Sequence, residues 1–525
     1  MCSTSGADAP LENLFLLRNS AVKGRDLRLA DHFRQNWIVD LALSAIVLIA
    51  LLIRVAYATS NPVLDDAFIT FRYVRNLARG IGFVYNPGEH VLGTTTPFYT
   101  LMLTPFALAG ADIILVGKVI NIVASAVNVI LVFAIARREF GDWFALLAAM
   151  LLAISTSNVW AASTGMETEL NVLILLAVAF AYVVGRYNAA AVLGAVAFMT
   201  RPDDLILLAV IAGWHAVKVI RRKHSFPFRP LAIFVLCLLP WMIFATIYFG
   251  SPIPSSVFGK AASYRVPIAD DIAMYVEQYG FALRSARELI VTIPFVIGVI
   301  GIFYRRSDFV VFPIYFILYS AIFVLLGARL GSGWYWQPLW PVHTIIVAGG
   351  VGLIAEIARK SRLGWVITRF KKPIAAAVVL AVVLLWAITL KSRFIDFRLG
   401  DDREMIELEA AGRWINQNAA SNATVGLETI GAVGWFSDRY IVDEGGLVSP
   451  PIAEINARIG KPDSITILRT FQPDYYLAWI HGELDSILSS PEQKEWFIAH
   501  YQPAATFDVG ANRAPYFALF RKIPE

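Results

Sequence analysis

Charge and cysteine are what this sequence has least of. Only 16% of its 525 residues are charged, where a soluble domain carries roughly 25%, and that shortage excludes an ordinary soluble globular enzyme. The two cysteines, Cys2 and Cys237, lie far apart and outside any metal or redox spacing, so they offer neither a disulfide framework nor a zinc site. No P-loop, dinucleotide-binding glycine pattern, HExxH or G-x-S-x-G elbow occurs in a fitting setting, and the chemistry must rest on other groups. Internal repeats and low-complexity segments are absent as well. What is present is apolar: 57% of the residues are hydrophobic and the mean hydropathy is +0.61. A single core stops growing near ~250 to 300 residues, so most of this chain must be solvated by lipid.

The net charge of +5 is not a nucleic-acid signal, because the Lys and Arg gather in short loops between apolar stretches. Residues 1–36 are polar and basic and read as an uncleaved cytoplasmic segment. Apolar runs follow near 37–58, 113–136, 143–162, 171–185, 189–200, 204–220, 231–249, 289–304, 309–327, 338–357 and 374–390. The first is long enough to cross ~30 Å of hydrocarbon as a helix. With a cytoplasmic N-terminus, every second loop is basic: Arg137 and Arg138, Arg186, Arg221 to Lys223, Arg305 and Arg306, Arg359 to Lys372. The expected fold is therefore an all-α polytopic bundle of about eleven transmembrane helices over 37–390, with an outer loop at 59–112. Residues 391–525 are richer in Asp, Glu, Asn and Gln and contain no further spanning stretch, which predicts an extracytoplasmic α/β domain. A helix is expected over 404–418, with strands at Thr424–Leu427, Tyr440–Val442 and Tyr475–Ala478.

The segment from Leu64 to Gly80 carries the most information. As a helix it places Ala67, Phe71, Val74 and Ala78 on one stripe and Arg72, Arg75 and Arg79 opposite, which predicts a helix lying on the membrane surface with arginines available to phosphate. Asp65 and Asp66 stand at its start. One Asp is accounted for as a helix cap, but two adjacent carboxylates at the mouth of a lipid-buried bundle point to function. The stretch Pro97–Ala109 is too short to span and reads as an interfacial or re-entrant helix. Thr164 and Glu167 have capping-box spacing for the following helix. Arg201, beside Asp203 and Asp204, has three open readings: snorkelling, ion pairing and anion binding. Lys260 and Arg265 sit in a turn-rich loop, and Arg329 precedes an aromatic cluster in which Trp334 and Trp336 are belt residues or sugar-stacking faces. In the tail, Glu428 and Asp443 fall at strand ends, where buried hydrogen-bonding roles are the simpler reading.

Carboxylates and cations converging outside, away from cytosolic nucleotides, point to a sugar carried on a lipid phosphate. The cations hold the phosphate and a carboxylate deprotonates the acceptor hydroxyl. With Asp65-Asp66, Asn86-Pro87-Gly88-Glu89, Gly93 to Pro97, Gly165 to Thr168, Arg201-Pro202-Asp203 and Gly445 to Pro450 in place, the sequence resembles the GT-C superfamily of integral membrane glycosyltransferases that use polyprenyl-phosphate sugars. Within it, the likeness is to the branch of actinobacterial cell-wall arabinofuranosyltransferases. The resemblance implies a first-loop carboxylate, Asp65 or Asp66, as catalytic base. Candidate donor-phosphate contacts are Arg72, Arg201, Lys260 and Arg329; candidate acceptor contacts are Glu89, His90, Glu167 and Trp334. Some members of the superfamily use a divalent cation, for which Asp65 and Asp66 are the candidate ligands. Two departures are Thr94 to Thr96, where aminoarabinose transferases carry a lysine, and His90, where the closer branch has arginine. The implied partners are a polyprenyl-phosphate sugar, with a pentose such as arabinofuranose among the options, a glycan, glycolipid or protein acceptor, and the bilayer, with no nucleic acid. A transporter or flippase of lipid-linked sugars is the alternative; it predicts repeats and polar groups at mid-bilayer.

Overall fold

The computed structural model describes residues 37–222, 224–257, 267–278, 286–326, 333–360, 403–460, 463–507 and 514–524. Lys260, Arg265, Arg329, the N-terminal segment and the apolar run at 374–390 lie outside the described residues. The first helix, α1 (Trp37–Ser60), leaves Leu41, Leu48 and Leu52 exposed while Ala50 and Arg54 are buried, as expected of a lipid-facing helix with one inward side. Next come α2 (Asp65–Ala78), α3 (Pro97–Leu108), α4 (Ile113–Phe140), α5 (Asp142–Ala153), α6 (Thr156–Ala161), α7 (Thr168–Val183), α8 (Tyr187–Thr200), α9 (Leu205–Ile220) and α10 (Phe228–Phe249). Asp112 caps α4 by accepting from the N–H of Ile114 and Leu115, and α4 ends at Gly141, whose φ of +82° suits glycine. The bundle closes with α11 (Ile268–Gln278), α12 (Ala286–Arg305), α13 (Val311–Leu326) and α14 (Leu339–Lys360). Helices α12 and α14 touch backbone to backbone: a Cβ on Gly350 would fall 1.7 Å from the Pro294 carbonyl oxygen, the small-residue contact that lets membrane helices approach closely.

Among the described residues, five helical stretches are long and apolar enough to cross a membrane. Several other apolar runs form helices of 10 to 17 residues, so a count of eleven spans is not what helix length establishes. The chain between α2 and α3 is irregular and ends at Pro97, which occupies the first turn of α3.

The tail holds α15 (Arg403–Asn418), β1 (Thr424–Leu427), α16 (Ile430–Ser437), β2 (Tyr440–Asp443), α17 (Pro450–Ile459), α18 (Ser464–Phe471), β3 (Tyr475–Trp479), α19 (Pro491–His500), β4 (Tyr501–Thr506) and β5 (Phe517–Lys522). Its sheet has the order β2-β1-β3-β5-β4, with β1 parallel to both β2 and β3 and the β3–β5 and β5–β4 pairs antiparallel. The expected helix and three strands are all there; β4 and β5 are additional. The tail does not hang apart. Phe71, Tyr73 and Tyr85 of the first loop share one apolar core with Leu408, Val425, Ile430 and Val433 of the tail.

Candidate functional site

The arginines of helix α2 are not free; they dock the tail. The Arg72 guanidinium, 2% exposed, donates to the carbonyl oxygens of Tyr85 at 2.9 Å, Gly434 at 2.7 Å and Arg439 at 2.7 Å, and it stacks 4.3 Å over the Tyr85 ring. Arg75 donates to the Trp435 carbonyl at 2.7 Å and pairs with Asp438 at 2.8 Å, where Arg79 joins it at 3.0 Å. These bonds correct the assignment of Arg72 to the donor phosphate. A guanidinium has five N–H donors and no acceptor, and this one is occupied by buried backbone carbonyls that would otherwise lack partners.

At the other end of the same contact, Asp65 Oδ2 accepts from Gly431 N–H at 2.9 Å and Oδ1 from Ala432 N–H at 2.6 Å. Asp65 thus caps α16 of the tail and not its own helix, whose cap position is Leu64 without a side-chain bond. Helix α16 is held by an acid at its positive end and by Arg72 and Arg75 at its negative end, as its dipole requires. The approach needs glycine: a Cβ on Gly431 would fall 1.8 Å from the Asp65 carbonyl oxygen, and one on Gly434 2.1 Å from the Tyr85 hydroxyl. Asn86 clamps the edge strand β2 by accepting from Ile441 N–H at 3.1 Å and donating to the Ile441 carbonyl at 2.9 Å. Glu89 accepts from the Tyr440 hydroxyl.

Burial pushes the Asp65 carboxyl up from 3.8 to about 7; the charges of Asp66 and Glu428 act the same way, and the Ala432 and Gly431 amides oppose them. Glu428 therefore borders this rim from the tail. Because the folded value is the higher one, the folded protein binds more protons than the unfolded chain between the two values. The associated stability is fully present below about 4 and is lost as the pH rises to about 7. Thermal unfolding across this range is expected to show the native chain losing stability relative to Asp65→Asn, by at most a few kcal/mol; parallel profiles would contradict it. In the tail, Asp443 accepts from Gly445 N–H at 2.9 Å and Val448 N–H at 2.7 Å, ordering the Gly445 to Pro450 turn, the buried role its strand-end position predicted.

Asp66, half-buried, follows in the first turn of α2. The loop ahead of α7 meets this rim directly, since Leu64 N–H donates to the Thr164 carbonyl at 3.0 Å. Glu167 begins α7 without forming the expected capping box. Instead it pairs with Arg201 at 3.3 Å, which also holds Asp203 at 3.0 Å. The Tyr319 hydroxyl donates to Asp203 at 2.9 Å, and Asn171 to Asp204 at 3.1 Å. Of the three readings for Arg201, ion pairing is the one observed; its guanidinium is 5% exposed and lies 5.1 Å from the Tyr335 ring. Trp334 is half-buried in a short turn, Gly333–Trp336, beside Tyr335.

An apolar cavity of about 520 Å³ lies between the end of α2, the loop after it and helices α3, α8 and α10, lined by Leu77, Phe83, Leu101, Met199, Trp241 and Phe244 among others. His90 stacks on Tyr248 at its border, with ring centroids 4.2 Å apart. Among the described residues no three His, Cys, Asp or Glu side chains gather as a cation cage, and both Asp65 oxygens already accept backbone N–H bonds.

Sequence reasoning passed over Arg54, although an ionisable residue inside an apolar run is a signal in itself. It is fully buried and donates to Ser125 Oγ at 2.6 Å and to the Ala153 carbonyl at 2.8 Å, closing the end of α5. Glu169 beside it accepts from Asn128 and Asn158, each at 3.0 Å. Asp438, Gly431 and Gly434 were equally silent, because their partners lie more than 350 residues away in sequence.

Similarity to known proteins places this arrangement. The overall fold is similar to those of the solved structures of ArnT and of an archaeal oligosaccharyltransferase. ArnT from Cupriavidus metallidurans, in its apo state, superimposes with a TM-score of 0.58 and 13% identity, over 92% of this chain and 97% of that one. The Archaeoglobus fulgidus oligosaccharyltransferase, in a complex with zinc and sulfate, gives 0.54 and 12%, over 87% and 71%. The archaeal oligosaccharyltransferase AglB from the same organism, with an inhibitory peptide and a dolichol-phosphate, gives 0.52 and 12%, over 90% and 73%. The family model of DUF8728, a domain of unknown function, matches residues 397–520. No curated protein matches the sequence. At such identities the likeness is one of fold, and function has to be argued from the site.

Proposed function

We propose that the protein is a membrane glycosyltransferase that moves a sugar from a polyprenyl-phosphate donor to a hydroxyl of an extracytoplasmic acceptor. One observation carries the reading: the Asp65-Asp66 pair stands where the helical bundle, the first outer loop and the tail meet. In this reading Asp66 accepts the proton of the acceptor hydroxyl as its oxygen attacks the anomeric carbon. The bond from that carbon to the phosphate oxygen breaks on the opposite side, so the configuration inverts, and polyprenyl phosphate leaves. Asp65 keeps α16 in place beside the base. The apolar cavity along α2 receives isoprene units of the donor. The dolichol-phosphate bound to AglB supports a lipid-phosphate ligand for this fold.

Membranes containing the protein are expected to form a glycosylated product from at least one member of a panel of polyprenyl-phosphate sugars, arabinofuranose included, and none from the matching nucleotide sugars. Movement of intact lipid-linked sugar across proteoliposomes without release of polyprenyl phosphate would instead establish the transport reading.

A further inference from the structure

At the end of the bundle opposite Asp65 and Asp66, a second polar cluster takes no part in the proposed reaction. Tyr182 lies fourteen residues along α7 from Thr168, ~21 Å at the helical rise. Beside it meet Tyr187 at the start of α8, His215 and Lys218 near the end of α9, and Asp308 ahead of α13. The His215 ring is 5.1 Å from that of Tyr187, 5.5 Å from that of His224 and 6.4 Å from that of Tyr182. Arg222 adopts a left-handed turn, φ +53°, where the chain doubles back after α9, and His224 thereby returns to His215.

Two groups in this cluster are unmet. His215 is 6% exposed and Tyr182 2%, yet His215 Nε2 and the Tyr182 hydroxyl have no hydrogen-bond partner among the described residues. Buried polar atoms in this condition cost roughly 1 to 3 kcal/mol each. Their neighbours show what would satisfy them. Lys218 is bound to Asp308 at 2.8 Å, with Trp214 donating to the same oxygen at 3.0 Å, so the local carboxylate is already engaged. Arg186, Arg221 and Arg222 are exposed around the cluster, leaving cations in excess. The Tyr182 hydroxyl donates, and His215 Nε2 donates when the ring is protonated; donors among surplus cations suit an anion with several acceptor oxygens. At a helix end in a membrane protein, that chemistry is the phosphate of a lipid headgroup.

We propose that these helix ends bind the phosphate of an anionic phospholipid, with Tyr182 and His215 beneath it and Arg221 and Arg222 beside it. The test uses delipidated full-length protein in detergent and native mass spectrometry, with phosphatidylglycerol, phosphatidylcholine and inorganic phosphate as probes. Phosphatidylglycerol is expected to bind about tenfold or more tightly than phosphatidylcholine, and the exposed pair Arg221→Gln/Arg222→Gln to reduce that preference by roughly tenfold, consistent with the attraction of two basic side chains. Tyr182→Phe, which removes one hydroxyl, is expected to lower phosphatidylglycerol binding severalfold. Equal binding of the two lipids overturns the proposal. An effect of the arginine pair with none from Tyr182→Phe overturns the buried site, and displacement of the lipid by equimolar inorganic phosphate overturns the lipid assignment. Because no sugar transfer is measured, these outcomes are independent of the glycosyltransferase reading.

Discussion

Asp66→Asn is expected to lower kcat for sugar transfer by about 10² to 10⁴-fold, the range of a lost general base, with expression and unfolding temperature close to native. Asparagine preserves the shape of the side chain and removes its basicity. Asp65 accepts a tail N–H bond on each oxygen, which turns its carboxyl towards α16 and leaves the base role to Asp66 in the proposed reaction. Asp65→Asn should therefore act chiefly through tail docking. Single-turnover assays with a polyprenyl-phosphate sugar separate the two. Full activity of Asp66→Asn would remove it as base, and loss of chemistry in Asp65→Asn with docking intact would transfer the role to Asp65.

Arg72→Ala is expected to be among the most destabilising single changes in the chain, by at least about 3 kcal/mol. It strands the carbonyls of Tyr85, Gly434 and Arg439 in a buried contact, each at a cost of roughly 1 to 3 kcal/mol, and forfeits the stacking on Tyr85. Arg72→Lys should recover little, because a single ammonium cannot reproduce the planar fork that reaches two carbonyls of the tail while also holding Tyr85. Hydrogen exchange across residues 430–437, read beside thermal unfolding, is the direct measurement. Fast exchange confined to α16 and its surroundings would show the tail released from the bundle, whereas native protection in Arg72→Ala would show that the shared core of Phe71, Tyr85, Ile430 and Val433 holds the tail by itself.

Much of the local structure was legible in the residues. Apolar runs marked the helices of the bundle, and alternation with turn signals marked β1, β2, β3 and α15. Strands β4 and β5 were missed: their residues sit among Pro503, Arg521 and Lys522, and neither carries a clean two-residue period. The periodicity of α2 was also read correctly, with its arginines gathered on one side. What they met was not, because a helix with an arginine face can be completed by lipid phosphates or by another part of the chain. Phosphate contact for Arg72 and a capping box for Thr164 and Glu167 are local readings of residues whose partners lie elsewhere, and the helix cap open to either Asp65 or Asp66 is made by Asp65 on α16 of the tail.

The amino-acid order by itself determined that this is a lipid-embedded helical chain with a small α/β tail and two acids at the start of its first loop helix, since hydropathy, charge placement and turn residues act over a few residues at a time. Only the tertiary structure decided that Asp65 meets the backbone of the tail and that Arg72, Arg75 and Arg79 anchor it. The physical reason is range. Burial of a charge, its pairing and the amides that surround it are set by groups brought together across more than 350 residues, and no pattern within a single element carries that information.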